Sequence, residues 1–326
     1  MSIYRTLKGY SVKAIADDPD NVKEGQIWYE STEEVVKLAP KIGAWASGGN
    51  VNTARRQSAG AGTQTAGIIY GGYGPAFSNA TEEYNGSSWS TQNNAPFAVY
   101  NAAGGGTQTA YVATGGDLGP SINAVTAEYD GTNWSTTNNH PAPRNGASGA
   151  GSQTALVSTG GSPSVRTTFY YNGSTWSDQS ANLNTGRSEN TNSSCGTQTA
   201  ALLVGGETPS STYRAEVEEW NGTSWSEQNN ISAARRQVST SGTQTAAIAY
   251  GGEVAGPAVT AVTQVYDGTS WTTVAAMATA ARARGGLGDG STSTAALASS
   301  GHNGTANIAS TEEFTEAVTT RTIDLS

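Results

Sequence analysis

The chain has 326 residues and a formal net charge of −9, a balance that argues against nonspecific binding to nucleic acid or to an anionic membrane, because both need clustered cations. One cysteine, Cys195, and two histidines, His140 and His302, exclude an intrachain disulfide framework, a cysteine-rich zinc site and a multi-histidine metal centre, so no cofactor is expected. Forty-one glycines against two methionines suit short strands and tight turns better than helices, and the absence of a signal-like or membrane-length apolar run predicts a chain made soluble, with no membrane insertion.

Residues 1–41 hold all five lysines (Lys8, Lys13, Lys23, Lys37 and Lys41), and arginine is the only cation side chain thereafter apart from the histidines. That break places a boundary near residue 41. Alternating patterns at Ile3–Leu7 and Tyr10–Ile15 predict two early strands, and Gln26–Tyr29 with Glu34–Leu38 predict a hairpin. So small a β segment needs a partner surface. The acidic turn Asp17, Asp18, Asp20, Asn21 and Glu24 lacks EF-hand spacing and is read as a plain turn.

From about Gly43 one pattern recurs. A Thr-Gln turn or its equivalent stands at 63, 107, 152, 197, 243 and 292; Gly-Gly at 71, 115, 160, 205 and 251, with Ser300-Gly301 in the sixth copy; and Trp at 45, 89, 134, 176, 225 and 271. A spacing of 42 to 49 residues marks a repeat architecture. Each period reads as four strands: A (Gln57 to Gly62), B (Ala66 to Tyr70), C (Thr81 to Tyr84) and D (Ser87 to Ser90) in the first copy. Asn85-Gly86, with Asp130-Gly131, Asn172-Gly173, Asn221-Gly222 and Asp267-Gly268, predicts a type I′ turn between C and D, which sets Glu82 opposite Trp89. Four antiparallel strands repeated six times describe an all-β, six-bladed β-propeller over residues 42–326. Trp45 lies in a strand D with no A, B or C before it, and the last copy lacks its Trp. The N-terminal β extension is therefore expected to close the last blade. Thr320–Leu325 is an extra strand, on that blade's edge or on the leader.

The Gly-Gly doublet after strand B, the Glu-x-aromatic of strand C and the Trp of strand D resemble the kelch repeat, with four residues between Tyr84 and Trp89. Behind the leader Asp-Pro-x-Asn-x-x-Glu-Gly-Gln-Ile-Trp-Tyr (Asp18 to Tyr29), such repeats are similar to kelch-type virion and tail-appendage proteins of tailed bacteriophages. The resemblance implies a structural protein located in the virion. It also implies attachment to other virion proteins through residues 1–41, with Trp28 and Tyr29 as attachment residues, and a homo-oligomeric or multicopy assembly.

Most motif residues have structural readings. Cys195 falls in the strand A slot filled elsewhere by Ala61, Gly105, Ala150, Ser241 and Asp289, near the axis where small side chains fit. Glu82, Glu218, Gln264 and Glu312, two before the strand C aromatic, predict buried pairs with arginines entering a neighbouring blade, such as Arg55, Arg56, Arg235 or Arg282. Asp-Gly-Thr-x-Trp at 130 and 267 differs from sialidase Asp boxes, where one residue separates Asp from Gly. No Ser-His-Asp order or phosphate loop occurs, and Asp117, Glu207, Glu253 and Asp289 are the loop carboxylates that a glycoside hydrolase would need to bring together.

Antiparallel geometry puts the constant A–B and C–D turns on one face and the variable B–C and D–A loops on the other. Variation among copies of a repeat marks positions released from its packing rule, and loops on a rigid scaffold carry binding. Tyr73, Phe77, Tyr100, Arg166, Tyr213 and Arg214 on that face are the expected ligand-binding residues, suited to stacking on and bonding a sugar. The function expected is non-enzymatic host-surface adhesion to a glycan or protein receptor. A capsid or tail decoration protein is the alternative, and a carbohydrate-active enzyme the third.

Overall fold

The computed structural model describes residues 12–119, 121–163, 165–190, 192–286 and 293–323. The strand expected at Ile3–Leu7, Tyr10 and Ser11, loop residues Pro120 and Ser164, and Asp289, Thr292 and Leu325 lie outside them. Among the described residues there is no helix, and the strands form eight sheets, seven of four strands and one of three, an all-β arrangement consistent with a β-propeller. Two compact units are formed, Met1–Ala44 with Glu316–Ser326, and Trp45–Thr315.

In the first unit, Lys13–Ile15 pairs parallel with Ile27–Glu30, which pairs antiparallel with Val35–Leu38; Arg321–Ile323 adds antiparallel to the last. The C-terminal strand thus joins the leader. Trp28 is buried at 1% exposure and donates its indole N–H to Asp18 at 3.1 Å, while Asp18 and Glu33 hold the Lys37 ammonium at 3.1 and 3.0 Å. The acidic turn is thereby tied to the sheet it precedes.

Six four-stranded sheets follow the repeat. The first is Ala59–Thr63, Ala66–Tyr70, Thr81–Tyr84 and Trp89–Thr91, paired in sequence order. Four more follow the same order, with strands A at Ala103–Thr107, Ala147–Ser152, Ser194–Thr197 and Ser239–Thr243. In the last, Gly285–Gly286, Ala295–Ser299 and Thr311–Val318 are completed by Lys41–Gly48, the strand that carries Trp45. Strand B, covered on both faces, reads as an unbroken apolar run for that reason: Ile68, Ile69, Leu202, Leu203, Ile248 and Leu297 are fully buried. Strands A touch one another in cyclic order from the first to the sixth and back to the first.

Each constant residue reaches into a neighbouring copy. The second glycine of the doublet donates its N–H to the residue before the next strand A: Gly72 to Val99, Gly116 to Arg144, Gly161 to Arg187, Gly206 to Arg235, Gly252 to Ala281 and Gly301 to Arg55, all within 2.6–2.9 Å. Positive φ at both glycines, 68° and 103° at Gly71 and Gly72, makes that approach possible, and a Cβ on Gly71 would lie 2.6 Å from the Val99 carbonyl oxygen. On the other face the turn glutamines donate to the strand C aromatic's carbonyl, Gln108 to Tyr84 at 2.7 Å and Gln64 to Phe314 at 2.8 Å. The tryptophans donate to the threonine opening the preceding strand C: Trp89 to Thr311, Trp134 to Thr81, Trp176 to Thr126, Trp225 to Thr168 and Trp45 to Thr263. Trp271 would meet Val217 there and bonds the Asn229 carbonyl instead.

Three expectations are corrected. Tyr84 pairs with Trp89, so the C–D connection is a four-residue loop and not a two-residue type I′ turn; only Gly86 has positive φ, and Asn85 Oδ1 accepts the N–H groups of Ser87 and Ser88. Asparagine and aspartate exchange freely there because only an acceptor oxygen is required. In that register Glu82 faces Thr91 and not Trp89. The buried pairs lie within one repeat and not between neighbours: Arg55 with Glu82 at 2.5 Å, Arg187 with Glu218, Arg235 with Gln264 at 3.0 Å and Arg284 with Glu312 at 3.1 Å. Arg56 and Arg282 take no part in them.

Candidate functional site

One position after the residues that accept the doublet's second glycine, Arg55, Val99, Arg144, Arg187, Arg235 and Ala281, lies a slot that joins the loop following strand B. It is occupied by Arg56, Tyr100, Asn145, Ser188, Arg236 and Arg282, and its backbone bridges the residue after the glycine doublet, as in Arg56 with Tyr73, Tyr100 with Asp117, Ser188 with Glu207 and Arg282 with His302. A cavity of about 370 Å³ opens among these loops, lined by Arg56, Gln57, Tyr73, Phe77, Tyr100, Glu189, Arg236, Gln237 and Arg282.

Three of the expected binding residues meet there. Phe77 and Tyr100 stack with centroids 5.1 Å apart and planes at 11°, and Tyr73 tilts against them at 5.5 and 6.1 Å. The Arg56 guanidinium carbon lies 4.8 Å above the Tyr73 ring, and its Nη1 donates to Asn307 at 3.2 Å. Tyr100 donates to Asp117 at 3.2 Å; burial and then the Asp117 charge raise its hydroxyl pKa above the ordinary phenol value. This wall is aromatic with one cation laid across it.

The opposite wall is a chain of alternating charge. Arg236 bonds Glu207 at 2.6 Å and Glu253 at 2.9 Å, and Glu253 also holds Arg282. Tyr213 joins through this network, not at the cavity lining: its hydroxyl donates to Glu253 at 2.5 Å and Arg236 lies 5.0 Å over its ring. Burial opposes the Glu253 charge, but the Tyr213 hydroxyl and the Arg236 and Arg282 guanidiniums outweigh it and hold the carboxyl below its usual pKa. Burial and that hydrogen bond push the Tyr213 hydroxyl up to about 12. Both carboxylates lie behind the arginines, which face the cavity.

Arg166 and Arg214 stand away from this lining. Arg166 donates to the Leu183 carbonyl, and Arg214 pairs with Glu216. Trp28 sits in the buried part of the leader unit and Tyr29 is half-buried beside it in sequence; Ile27 between turn and strand is 41% exposed. Of the loop carboxylates, Asp117 is bonded by Tyr100 and by Asn145 at 3.2 Å, and Glu207 and Glu253 are in the arginine network. Among the described residues no group of three or more histidine, cysteine or carboxylate residues is placed to hold a metal ion. Cys195 is fully buried in its strand A slot.

Sequence reasoning missed Arg56, Gln57, Glu189, Arg236, Gln237 and Arg282 as lining residues, and gave Arg56 and Arg282 to buried pairs instead. A signal was present: the position after Arg55, Val99, Arg144 and Arg187 changes from copy to copy (Arg56, Tyr100, Asn145, Ser188) as freely as the B–C loops do, although it sits at the entry to a strand. No protein-family model and no curated protein matches the chain.

Proposed function

We propose that the protein is a non-enzymatic virion component of a tailed bacteriophage, in which Trp45–Thr315 is a six-bladed kelch-like propeller that presents its loop face for adhesion to a host-surface glycan or receptor. Residues 1–41 attach it to other virion proteins, in several copies per particle. The six-bladed reading rests on the cyclic contacts of six strands A and on the six glycine bonds that return from Gly301 to Arg55.

The observation that carries the adhesion reading is the convergence of Tyr73, Phe77 and Tyr100, from two different repeats, on one arginine-lined cavity at the variable face. The constant residues are occupied in holding copies together, whereas these three are not needed for that. Rigid aromatics beside charged and amide groups favour binding over turnover. Glycoside hydrolysis needs one carboxyl group poised as an acid, and Glu253 is held ionised between two arginines.

The test is binding of the full chain to host cells and to a glycan array, with Phe77→Ala and Tyr100→Ala compared against the parent. Adhesion lost in both variants supports the reading. Absence of any surface or glycan binding, with tight docking of the propeller to purified capsid or tail proteins, replaces adhesion by decoration; sugar release abolished by Glu207→Gln replaces it by catalysis.

A further inference from the structure

The floor of the cavity is built unlike its walls. Each strand A is entered through a residue in the left-handed region: Gln57, Asn101, Gly146, Glu189, Gln237 and Ala283, with φ between 53° and 61°. Their backbones link head to tail around the centre. Asn101 N donates to Gln57 O, Gly146 N to Asn101 O, Asn190 N to Gly146 O, Gln237 N to Glu189 O, Ala283 N to Gln237 O and Gln57 N to Ala283 O, at 2.9–3.1 Å. Five of the six are not glycine, although that backbone costs such residues about 1–3 kcal/mol each. Their side chains are thereby fixed around one point.

At that point stands Glu189, the one carboxylate in the lining. It is met by amides and not by a cation: Gln57 Nε2 and Asn101 Nδ2 approach at 3.4 Å, the outer limit of a hydrogen bond, and Gln237 Nε2 bonds closely. A carboxylate accepts about four such bonds, so capacity remains. Gln237 is 6% exposed, and its Oε1 accepts a bond from no described group. The Glu189 carboxylate thus stands in the lining as an acceptor, with Gln237 Oε1 buried behind it, while Arg56, Arg236 and Arg282 line the cavity as donors.

That pairing of charges selects the ligand. An anion can bond the arginines but cannot donate to Glu189. A cation can donate to Glu189 but meets three guanidiniums. A hydroxyl donates and accepts at once, and two neighbouring hydroxyls on an apolar ring frame satisfy acceptors, donors and the Phe77–Tyr100 wall together.

Beneath the floor, Asn192 reaches across from the fourth repeat. Its Oδ1 accepts the Gly60 N–H at 3.2 Å, and its Nδ2 donates to the carbonyls of Ser58 at 2.7 Å and Arg284 at 3.1 Å. A chain cannot thread past it, so the cavity admits an end.

We infer that the cavity binds the terminal unit of an uncharged glycan, with neighbouring ring hydroxyls donating to the Glu189 carboxylate, which Gln237 Nε2 holds in place, and accepting from the rim arginines. This rests on the adhesion reading above and names its ligand class.

The experiment titrates the full chain with methyl glycosides of mannose, galactose, glucose and rhamnose, and with glucuronic acid, N-acetylneuraminic acid and glucosamine, by calorimetry and saturation-transfer NMR. At least one neutral glycoside is expected to bind, and Glu189→Gln and Gln237→Met are each expected to weaken it about tenfold or more. Should Glu189→Gln fail to fold, Gln237→Met and the neutral-over-charged preference of the parent protein still decide. Preference for a charged sugar, or neutral-sugar affinity unchanged in the variants, overturns the inference and leaves adhesion standing. Host cells and array glycans bound with no monosaccharide competing do the same. No binding to any sugar or host cell ends both.

Discussion

The buried pair Arg55–Glu82 makes a quantitative test of how the repeat is held. Both side chains are about 1% exposed; Arg55 Nη1 bonds Glu82 Oε1 at 2.5 Å and its Nε reaches Ser58 Oγ at 3.3 Å, while Glu82 Oε2 accepts the Asn52 N–H at 2.7 Å. Burial lowers the Arg55 pKa and the Glu82 charge restores part of it, so the carboxylate is what makes a buried guanidinium tolerable. Glu82→Leu is expected to cost about 3–5 kcal/mol, the penalty of an uncompensated buried charge. Arg55→Met together with Glu82→Leu removes both charges and leaves chiefly the Asn52 N–H without its acceptor, so the double variant is expected within about 2 kcal/mol of the parent.

The chain contains its own precedents. Val99 and Ala127, both buried, fill these two positions in the second repeat, and Gln264 replaces the carboxylate in the fifth, accepting from Arg235 at 3.0 Å and from Ser232 N and Oγ. Glu82→Gln should accordingly cost about 1 kcal/mol, the difference between a charged and a neutral acceptor. Urea unfolding followed by tryptophan fluorescence gives the midpoints, with the slope checked for a constant transition. A double variant as unstable as the two singles added together would show that the pair does not act as a unit, and would refute the reasoning.

Acid should destabilise the protein through His140, which is buried against Phe169 and Trp176 and whose pKa is pushed by burial down to about 4 from 6.5. As pH falls from 6.5 to about 4 the unfolded chain takes up a proton that the folded one refuses, so stability drops by about 3 kcal/mol and levels off below; His140→Gln should flatten that part of the profile, and an unchanged slope excludes His140 as the cause. Gly205→Ala, at φ 64° with a new Cβ 2.5 Å from the Arg235 carbonyl oxygen, should cost more than about 2 kcal/mol by calorimetry, whereas Gly256→Ala, at φ 90° with nothing within 4 Å, should cost about 1 kcal/mol. Gln153→Ala removes bonds to the Tyr129 and Tyr111 carbonyls at 2.8 and 3.2 Å and should lower stability by about 1–2 kcal/mol, measured as a midpoint shift in urea.

Much of the repeat was legible because its parts obey local rules. Apolar runs mark strand B, Gly-Gly marks positive φ, and Asn-Gly or Asp-Gly marks a turn. The turn's size was misjudged since Asn85 can serve either as a left-handed residue or as an acceptor for Ser87 and Ser88, and local sequence does not choose between them. The pairing of Glu82 was foreseen, but its partner was placed in the wrong repeat, because a side chain six or seven ångströms long reaches equally well along its own sheet or across to the next.

Tyr73, Phe77 and Tyr100, chosen as aromatic side chains on the variable face, share one cavity, whereas Arg166 and Arg214, chosen on the same grounds, are held by Leu183 and Glu216 outside its lining. Glu189 was invisible. It lies in a strand entry beside Asn190 and looks like any exposed carboxylate until Gln57, Asn101 and Gln237 of three other repeats converge on it.

The order of strands, the spacing of the copies and the face given over to variable loops were thus determined by the amino-acid sequence, since each depends on residues a few positions apart. Only the tertiary structure decided which of those loops share a cavity, which arginines are spent in ion pairs and which carboxylate stands at the centre. The ion pairs span 17 positions in Arg236 with Glu253 and 31 in Arg187 with Glu218, and the cavity contacts reach 132 in Gln57 with Glu189 and 251 in Arg56 with Asn307, a geometry that exists only once the strands and repeats are assembled.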